Sequence, residues 1–188
     1  NDTAVVQQDG RVTGKPASAT ILSSGDYLIH KMILDGVRTS NGYDFDSIFT
    51  NVKDEITAAD YAVCNFEFTI TETGNYNFYP HFKLPPETAD ALKNAGFDFL
   101  ITANNHCGDT TAAGIKRTLE VVDKAGLDAL GTMPNAEAPK YSVIEVNGIK
   151  IGMTCFTYAT GVTGDGRPAL NGNAHLGEAG LVNYFMES

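Results

Sequence analysis

The sequence predicts an α/β protein built on a mainly parallel sheet, and three observations predict it. From Thr20 onward, short apolar runs of strand length alternate with segments whose apolar residues recur at helical spacing. Helices inserted regularly between strands define βαβ units, which build parallel sheets with helices packed on them. Side chains suited to chemistry then stand at the carboxyl end of one predicted strand after another, where open α/β sheets place their sites. The 188 residues suffice for one domain with a substantial core. With 43% hydrophobic and 19% charged residues, a disordered, collagenous or coiled-coil chain is excluded.

Residues 1–19 are polar and without period, carry Gly10, Gly14 and Pro16, and read as a leader or linker; the domain proper is assigned to residues 20–188. Thr20 to Ser23 is a short strand ending at Gly25-Asp26. Asp44 to Ala59 carries Phe45, Ile48, Phe49, Val52 and Ile56, the spacing of one buried helical face. Tyr61 to Cys64 is the second strand, ending in Asn65, Phe66 and Glu67. A polar, aromatic loop follows through Tyr76, Phe78, Tyr79 and Phe82. It either forms a platform for a sugar or peptide or folds down over the core, the second being favoured. Pro85-Pro86-Glu87 opens a helix that Gly96 closes, with Ala89, Leu92 and Ala95 facing in. Phe97 to Ala103 is the third strand, running into Asn104-Asn105-His106. Thr111 to Ala125 is a helix with Ile115, Leu119 and Val122 on one face, stopped by Gly126. Leu127 to Leu130 is a short fourth strand. Tyr141 to Val146 and Ile149 to Tyr158 flank Asn147-Gly148, the signature of a hairpin with a type I′ turn. Gly161 to Gly180 is rich in Gly and Asn and reads as a long loop.

A net charge of −10, with no Lys/Arg run, excludes a nucleic-acid partner. No stretch approaches the ~20 apolar residues of a membrane-spanning helix. Cys64, Cys107 and Cys155 lack paired spacing, which argues against a disulfide framework or zinc ribbon. Cys64 and Cys155 read as small buried hydrophobes, whereas Cys107 follows a His and either stands nearer a site or merely lines a loop. Dinucleotide, P-loop, serine-hydrolase and zincin motifs do not occur.

The chemistry gathers at three strand ends: Asp26 after the first, Asn65 and Glu67 after the second, Asn105 and His106 after the third. Parallel strands bring these ends to one edge. Carboxylates, an amide oxygen and an imidazole suit Mn, Mg, Zn or Fe, and such a metal lowers the pKa of bound water and polarises a phosphoryl or carbonyl oxygen. His106 either binds metal or acts beside it as a general acid, with Asp109 holding its ring. The plainer alternative is that Asp26 and Asn105 cap the helices that follow. His30 reads as a helix-surface or packed residue, His81 as a packed loop residue or a substrate contact, and His175 has no usable context.

Several of these runs resemble one family. Gly25-Asp26-Tyr27-Leu28-Ile29-His30, Tyr43-Asp44-Phe45, Ile48-Phe49 and Ala59 to Glu67 are similar to the opening of the bacterial CapA family, the capsule-synthesis and poly-γ-glutamate-biosynthesis proteins. Ala95-Gly96-Phe97-Asp98, then Thr102-Ala103-Asn104-Asn105-His106 with Asp109 and Gly114, resemble its most distinctive segment, and the ordered likeness runs from Ile21 to Tyr158. The resemblance implies a metallophosphoesterase-like α/β/β/α sandwich related to calcineurin-type phosphatases. It implies a divalent-metal site with Asp26, Glu67 and Asn105 as ligands, His106 as the acid that protonates a leaving oxygen and Asp109 as its orienting partner. It further implies an extracytoplasmic location in the bacterial cell envelope, with membrane anchorage through a segment outside these residues.

The pattern also departs from the family. Leu28 stands where calcineurin-type enzymes carry a metal-binding His, and Thr111 where the family has Gly. The later His-rich segments have no counterpart before Ser188, so the sandwich is expected to stop short of its C-terminal strands. Two functions follow as expectations. One is metal-dependent hydrolysis or transfer on a capsular polymer or a phosphate-containing envelope substrate. The other is a non-catalytic scaffold or polymer-binding module working with envelope biosynthesis proteins.

Overall fold

The computed structural model describes residues 5–6, 12–13, 17–72, 74–159, 161–162, 168–170 and 180–185. In chain order its main elements are β1 (Ile21–Tyr27), α1 (Lys31–Gly36), α2 (Lys53–Ala58), β2 (Tyr61–Phe66), β3 (Thr69–Ile70), β4 (Lys83–Leu84), α3 (Glu87–Ala95), β5 (Phe99–Ile101), α4 (Thr111–Lys124), β6 (Asp128–Leu130), β7 (Ser142–Val146) and β8 (Ile149–Met153). Four strands form the central sheet in the order β6-β5-β2-β1, every pairing parallel. This is the mixed α/β fold with a parallel sheet that the alternating pattern predicts.

Strand alternation divides the sheet into two faces. Ala62, Cys64, Phe66 and Leu100 belong to the principal core, together with Ala89, Leu92 and Ala95 of α3 and Val122 of α4. Leu92 and Ala89 are fully buried, as expected of the apolar face of a helix bounded by Pro86 and by Gly96, whose φ of 106° ends it in the left-handed conformation. On the opposite face Val63, Phe99 and Leu130 form a smaller cluster packed against Met153 and Cys155, at and just beyond the end of the hairpin β7–β8. Helices therefore cover one face while a β-hairpin supplies cover for the other. Asn147 and Gly148, with φ of 52° and 80°, turn that hairpin as the Asn-Gly pair predicts.

β1 contains a bulge that matters for the site. Ser23 pairs with Val63 and Asp26 with Asn65, so Ser24 and Gly25 together oppose one residue of β2. Without the extra residue Gly25, not Asp26, would face Asn65. The bulge sets Asp26 beside Asn65 on the same face as Val63 and turns Tyr27 into the main core with Phe66.

Two expectations need correction. Asp44 to Ala59 is not one helix but a 3-10 turn at Phe45–Phe49 followed by α2. Local side-chain bonds interrupt it: Ser47 N donates to Asp44 Oδ1, Ser47 Oγ donates to Asp44 O, and Thr50 Oγ1 donates to Ser47 O, offering the backbone an alternative to the α-helical ladder. Phe45, Phe49 and Ile56 are buried, whereas Ile48 and Val52 are exposed. The six-residue α1 and the strand pair Arg38–Thr39/Gly42–Tyr43 are too short to leave a periodic signal. The stretch read as a long loop contains a strand pair, Gly161–Val162 with Pro168–Ala169. Leu170, Leu181 and Val182 close a further cluster with Cys107 and Ile115, so Cys107 is a packing residue there. His175 and most of the leader lie outside the described residues; of the leader, Val5–Val6 pairs with Val12–Thr13. The aromatic loop folds down, with Phe82 buried and Tyr76 and Phe78 against the core, while Tyr79 stays exposed.

Candidate active site

The carboxyl ends of β1, β2 and β5 meet as the parallel topology requires, and a chain of amides ties them together. Asn65 Nδ2 donates to Asp26 Oδ1 at 2.7 Å. Asn104 Nδ2 donates to Asn65 Oδ1 at 3.2 Å and to Phe66 O at 2.9 Å. Asn104 Oδ1 in turn accepts from His106 N at 3.1 Å. The buried Asn104 thus sets the turn that carries His106, whereas the sequence pattern singles out only its neighbour Asn105. Asn105, half-buried between them, makes no side-chain hydrogen bond among the described residues.

Glu67, just past the end of β2, brings its carboxyl against that of Asp26. Burial first, and then the neighbouring acid, push its pKa from 4.5 up to about 7. Its Oε2 is buried without a hydrogen-bond partner among the described residues. Two adjacent carboxyl groups with an orphaned, buried oxygen suit a divalent cation, which would neutralise their repulsion. Leu28 is no ligand: it packs against the main core. Among the described residues, no three His, Cys, Asp or Glu side chains gather closely enough to hold a metal ion.

The second part of the site is built around Asp109, whose side chain is fully buried. Asp109 Oδ2 lies 2.8 Å from His106 Nδ1 and also accepts from Phe82 N at 2.5 Å. His81 Nδ1 stands 3.6 Å from Asp109 Oδ1, on a ring that is half exposed. One carboxylate therefore faces two imidazoles. Because a carboxylate only accepts, His106 carries its proton on Nδ1 toward Asp109 and leaves Nε2 for chemistry. The Phe82 ring meets His106 edge-on at 4.8 Å and His30 at 5.1 Å, which fixes the imidazole plane and brings the exposed His30 to the rim of the site.

His106 enters from the turn after β5, Asp109 from just before α4, and His81 from the loop before β4. Thr111, the first residue of α4, has a φ of 68°, a conformation costly for a β-branched residue. It stands where the resemblance calls for Gly. Sequence reasoning did not single out Lys83, Thr110 or Arg117, which line a cleft of about 600 Å³ with His81 and Asp109. Thr110 and Arg117 belong to the start and middle of α4 and Lys83 to β4, so no local spacing connects Lys83 to the other two.

A central parallel sheet whose carboxyl edge carries a carboxyl pair and a His–Asp pair makes this a mixed α/β protein, consistent with a metallophosphoesterase-like fold. The chain belongs to the bacterial capsule synthesis protein family PGA_cap, whose profile matches residues 20–182. Among curated proteins it is similar to the capsule biosynthesis protein CapA of Bacillus anthracis, 32% identical over 146 residues that cover 74% of this chain and 35% of that protein. It is also similar to the PGA biosynthesis protein CapA of Bacillus subtilis (strain 168), 35% identical over 122 residues covering 62% of this chain and 32% of the relative. The matched region is thus about a third of the length of these relatives.

Proposed function

We propose that this chain carries part of a metal-assisted hydrolytic or transfer site in a capsule or poly-γ-glutamate biosynthesis protein of the bacterial cell envelope, working outside the cytoplasm. The observation that carries the reading is the His106–Asp109 pair at 2.8 Å on the same sheet edge as the Asp26–Glu67 carboxyl pair. Asp26 and Glu67 would hold a divalent cation, with the Asn105 amide as a further oxygen donor. When bound, such an ion supplies Lewis-acid polarisation and a more acidic water.

The chain's own residues supply the rest. Asp109 holds the imidazole through Nδ1, so Nε2 of the protonated ring can give its proton to a leaving oxygen as general acid. Asn104 holds the backbone of His106 in place, and the Phe82 edge keeps the ring from turning. The substrates that fit are a capsular polymer or a phosphate-containing envelope compound, with other envelope biosynthesis proteins as partners. Metal analysis of the full-length protein, followed by phosphodiester and γ-glutamyl hydrolysis assays on wild type and His106→Ala, tests the reading. Bound divalent metal and a loss of activity of about 10²–10⁴-fold are expected; no metal, or equal rates, would sink it.

One observation favours a second reading, a non-catalytic polymer-binding scaffold. Leu28 is packed against the core, and the carboxyl pair has no third acidic or histidine neighbour suited to a metal among the described residues. Capture of poly-γ-glutamate or envelope proteins that is equal for wild type and His106→Ala, with no turnover in either, would select it.

A further inference from the structure

The cleft beside the His–Asp pair contains groups that the proposed chemistry does not use. It runs between the β3–β4 segment and the start of α4, and its lining includes Glu72, Lys83, Thr110 and Arg117 together with His81 and Asp109. Arg117 donates from Nη1 to Glu72 Oε1 at 2.9 Å. Glu72 is 82% exposed, and the contact is a surface ion pair of the kind that contributes little to stability. Lys83 Nζ donates to a neutral oxygen, Asn75 Oδ1, at 3.0 Å, and among the described residues it has no carboxylate partner. Thr110 Oγ1 is buried without a hydrogen-bond partner among the described residues. α4 starts with no side-chain cap and no acidic residue in its first turn, so its leading N–H groups add positive potential to this wall of the cleft. Gly114 leaves the space that Thr110 occupies, since a Cβ there would fall 1.7 Å from Thr110 Oγ1.

The acidic groups of the cleft are already engaged. Asp109 is committed to His106 and to Phe82 N, and Glu72 sits on Arg117 as an exposed carboxylate on a movable side chain. In a protein of net charge −10, an anionic ligand is repelled at long range, and local cations in a concave site are needed to hold it. Arg117 already shows the contact such a ligand would make, a guanidinium donating to a carboxylate oxygen.

We propose that this cleft is the subsite for an anionic group of the substrate, recognised by Arg117 and Lys83, with Glu72 as the resident carboxylate that the ligand displaces from Arg117. The proposal rests on the reading of His106–Asp109 as the reacting pair, since it places the anionic group next to that pair. It names a carboxylate or a phosphate, the two oxyanions whose shape suits Arg117.

Calorimetric titration of the full-length protein tests it with three probes: a γ-linked triglutamate, its α-carboxamide analogue, and inorganic phosphate. The triglutamate, phosphate or both should bind, with affinity falling about tenfold in Arg117→Ala and less in Lys83→Met. In Glu72→Gln the same probe should bind several-fold more tightly, because the competing carboxylate is gone. Arg117-dependent binding of the triglutamate assigns the subsite to a polymer carboxylate, and Arg117-dependent binding of phosphate assigns it to a phosphoryl group. Binding of the amide analogue as tight as that of the acid, or affinities indifferent to both Arg117→Ala and Glu72→Gln, would overturn the subsite. The side chain of Arg117 is 40% exposed, so its loss leaves the core intact, and Glu72→Gln gives an independent signal of opposite sign. The two failures are distinguishable: equal turnover by wild type and His106→Ala would remove the hydrolytic reading, whereas loss of the anion site itself would show as binding indifferent to Arg117→Ala and Glu72→Gln.

Discussion

Glu67→Gln should stabilise the metal-free protein above neutral pH. In the folded state burial and the adjacent Asp26 hold the Glu67 carboxyl at about 7 against an ordinary value of 4.5. The folded state therefore binds a proton more readily than the unfolded one, so stability falls as pH rises from about 4.5 to about 7 and stays low above that window. At about 1.36 kcal/mol for each decade of acidity, the ceiling on this loss is about 3 kcal/mol. Glu67 is only partly buried, and solvent screening brings the expected loss down to the order of 1 kcal/mol. Glutamine keeps the shape and cannot ionise. Urea unfolding followed by circular dichroism in a chelator, at pH 4.5 and pH 8, should show wild type losing about that amount between the two conditions and the variant losing clearly less. A millimolar divalent cation at pH 8 should then stabilise wild type more than the variant. Parallel pH profiles for the two proteins would refute the account of the carboxyl pair, and an equal response to the cation would refute its role as a cation seat.

Thr111→Gly should stabilise, because a left-handed φ of 68° strains a β-branched residue by about 1–2 kcal/mol. The greater chain entropy of Gly offsets part of this, leaving a gain of about 0.5–1 kcal/mol in denaturant unfolding; a loss would contradict the strain. Asn104→Ala should cost about 1–3 kcal/mol in the same assay, since it leaves Phe66 O, Asn65 Oδ1 and His106 N without their shared partner. For the hydrolysis proposed above, Asp109→Asn should lower the rate by about 10²–10⁴-fold by releasing the His106 tautomer. Partial retention of activity with a shifted pH profile would instead assign Asp109 to packing against Phe82 N.

The alternation of apolar runs with helical spacing sufficed to read the four-stranded parallel sheet, because strand burial and helix amphipathicity are local patterns. Pro86 and Gly96 bounded α3, and Asn147-Gly148 turned the hairpin, because each acts through its own backbone. The Asp44 to Ala59 segment was misread as one helix because hydrophobic spacing says nothing of the Asp44, Ser47 and Thr50 side chains that bond to the backbone and break it.

The site divides along the same line. His106 and Asp109 are three residues apart in one turn, so their pairing was legible from spacing. Asp26 and Glu67 each marked a strand end, but their apposition depends on the bulge at Ser24-Gly25, which moves Asp26 opposite Asn65. That shift is a property of two strands together. The choice between Asn104 and Asn105 is likewise set by where the turn after β5 points each amide.

By itself, then, the sequence determined the fold class, the edge on which the site lies and the family to which the chain belongs, since these rest on periodicity and on short motifs with fixed local spacing. Tertiary structure alone decided that helices cover one face of the sheet and a hairpin supplies cover for the other, that one buried aspartate serves two imidazoles, and that Arg117 and Lys83 share a cleft with them. Those are relations between distant segments, and they exist only once burial of the apolar faces has brought the segments together.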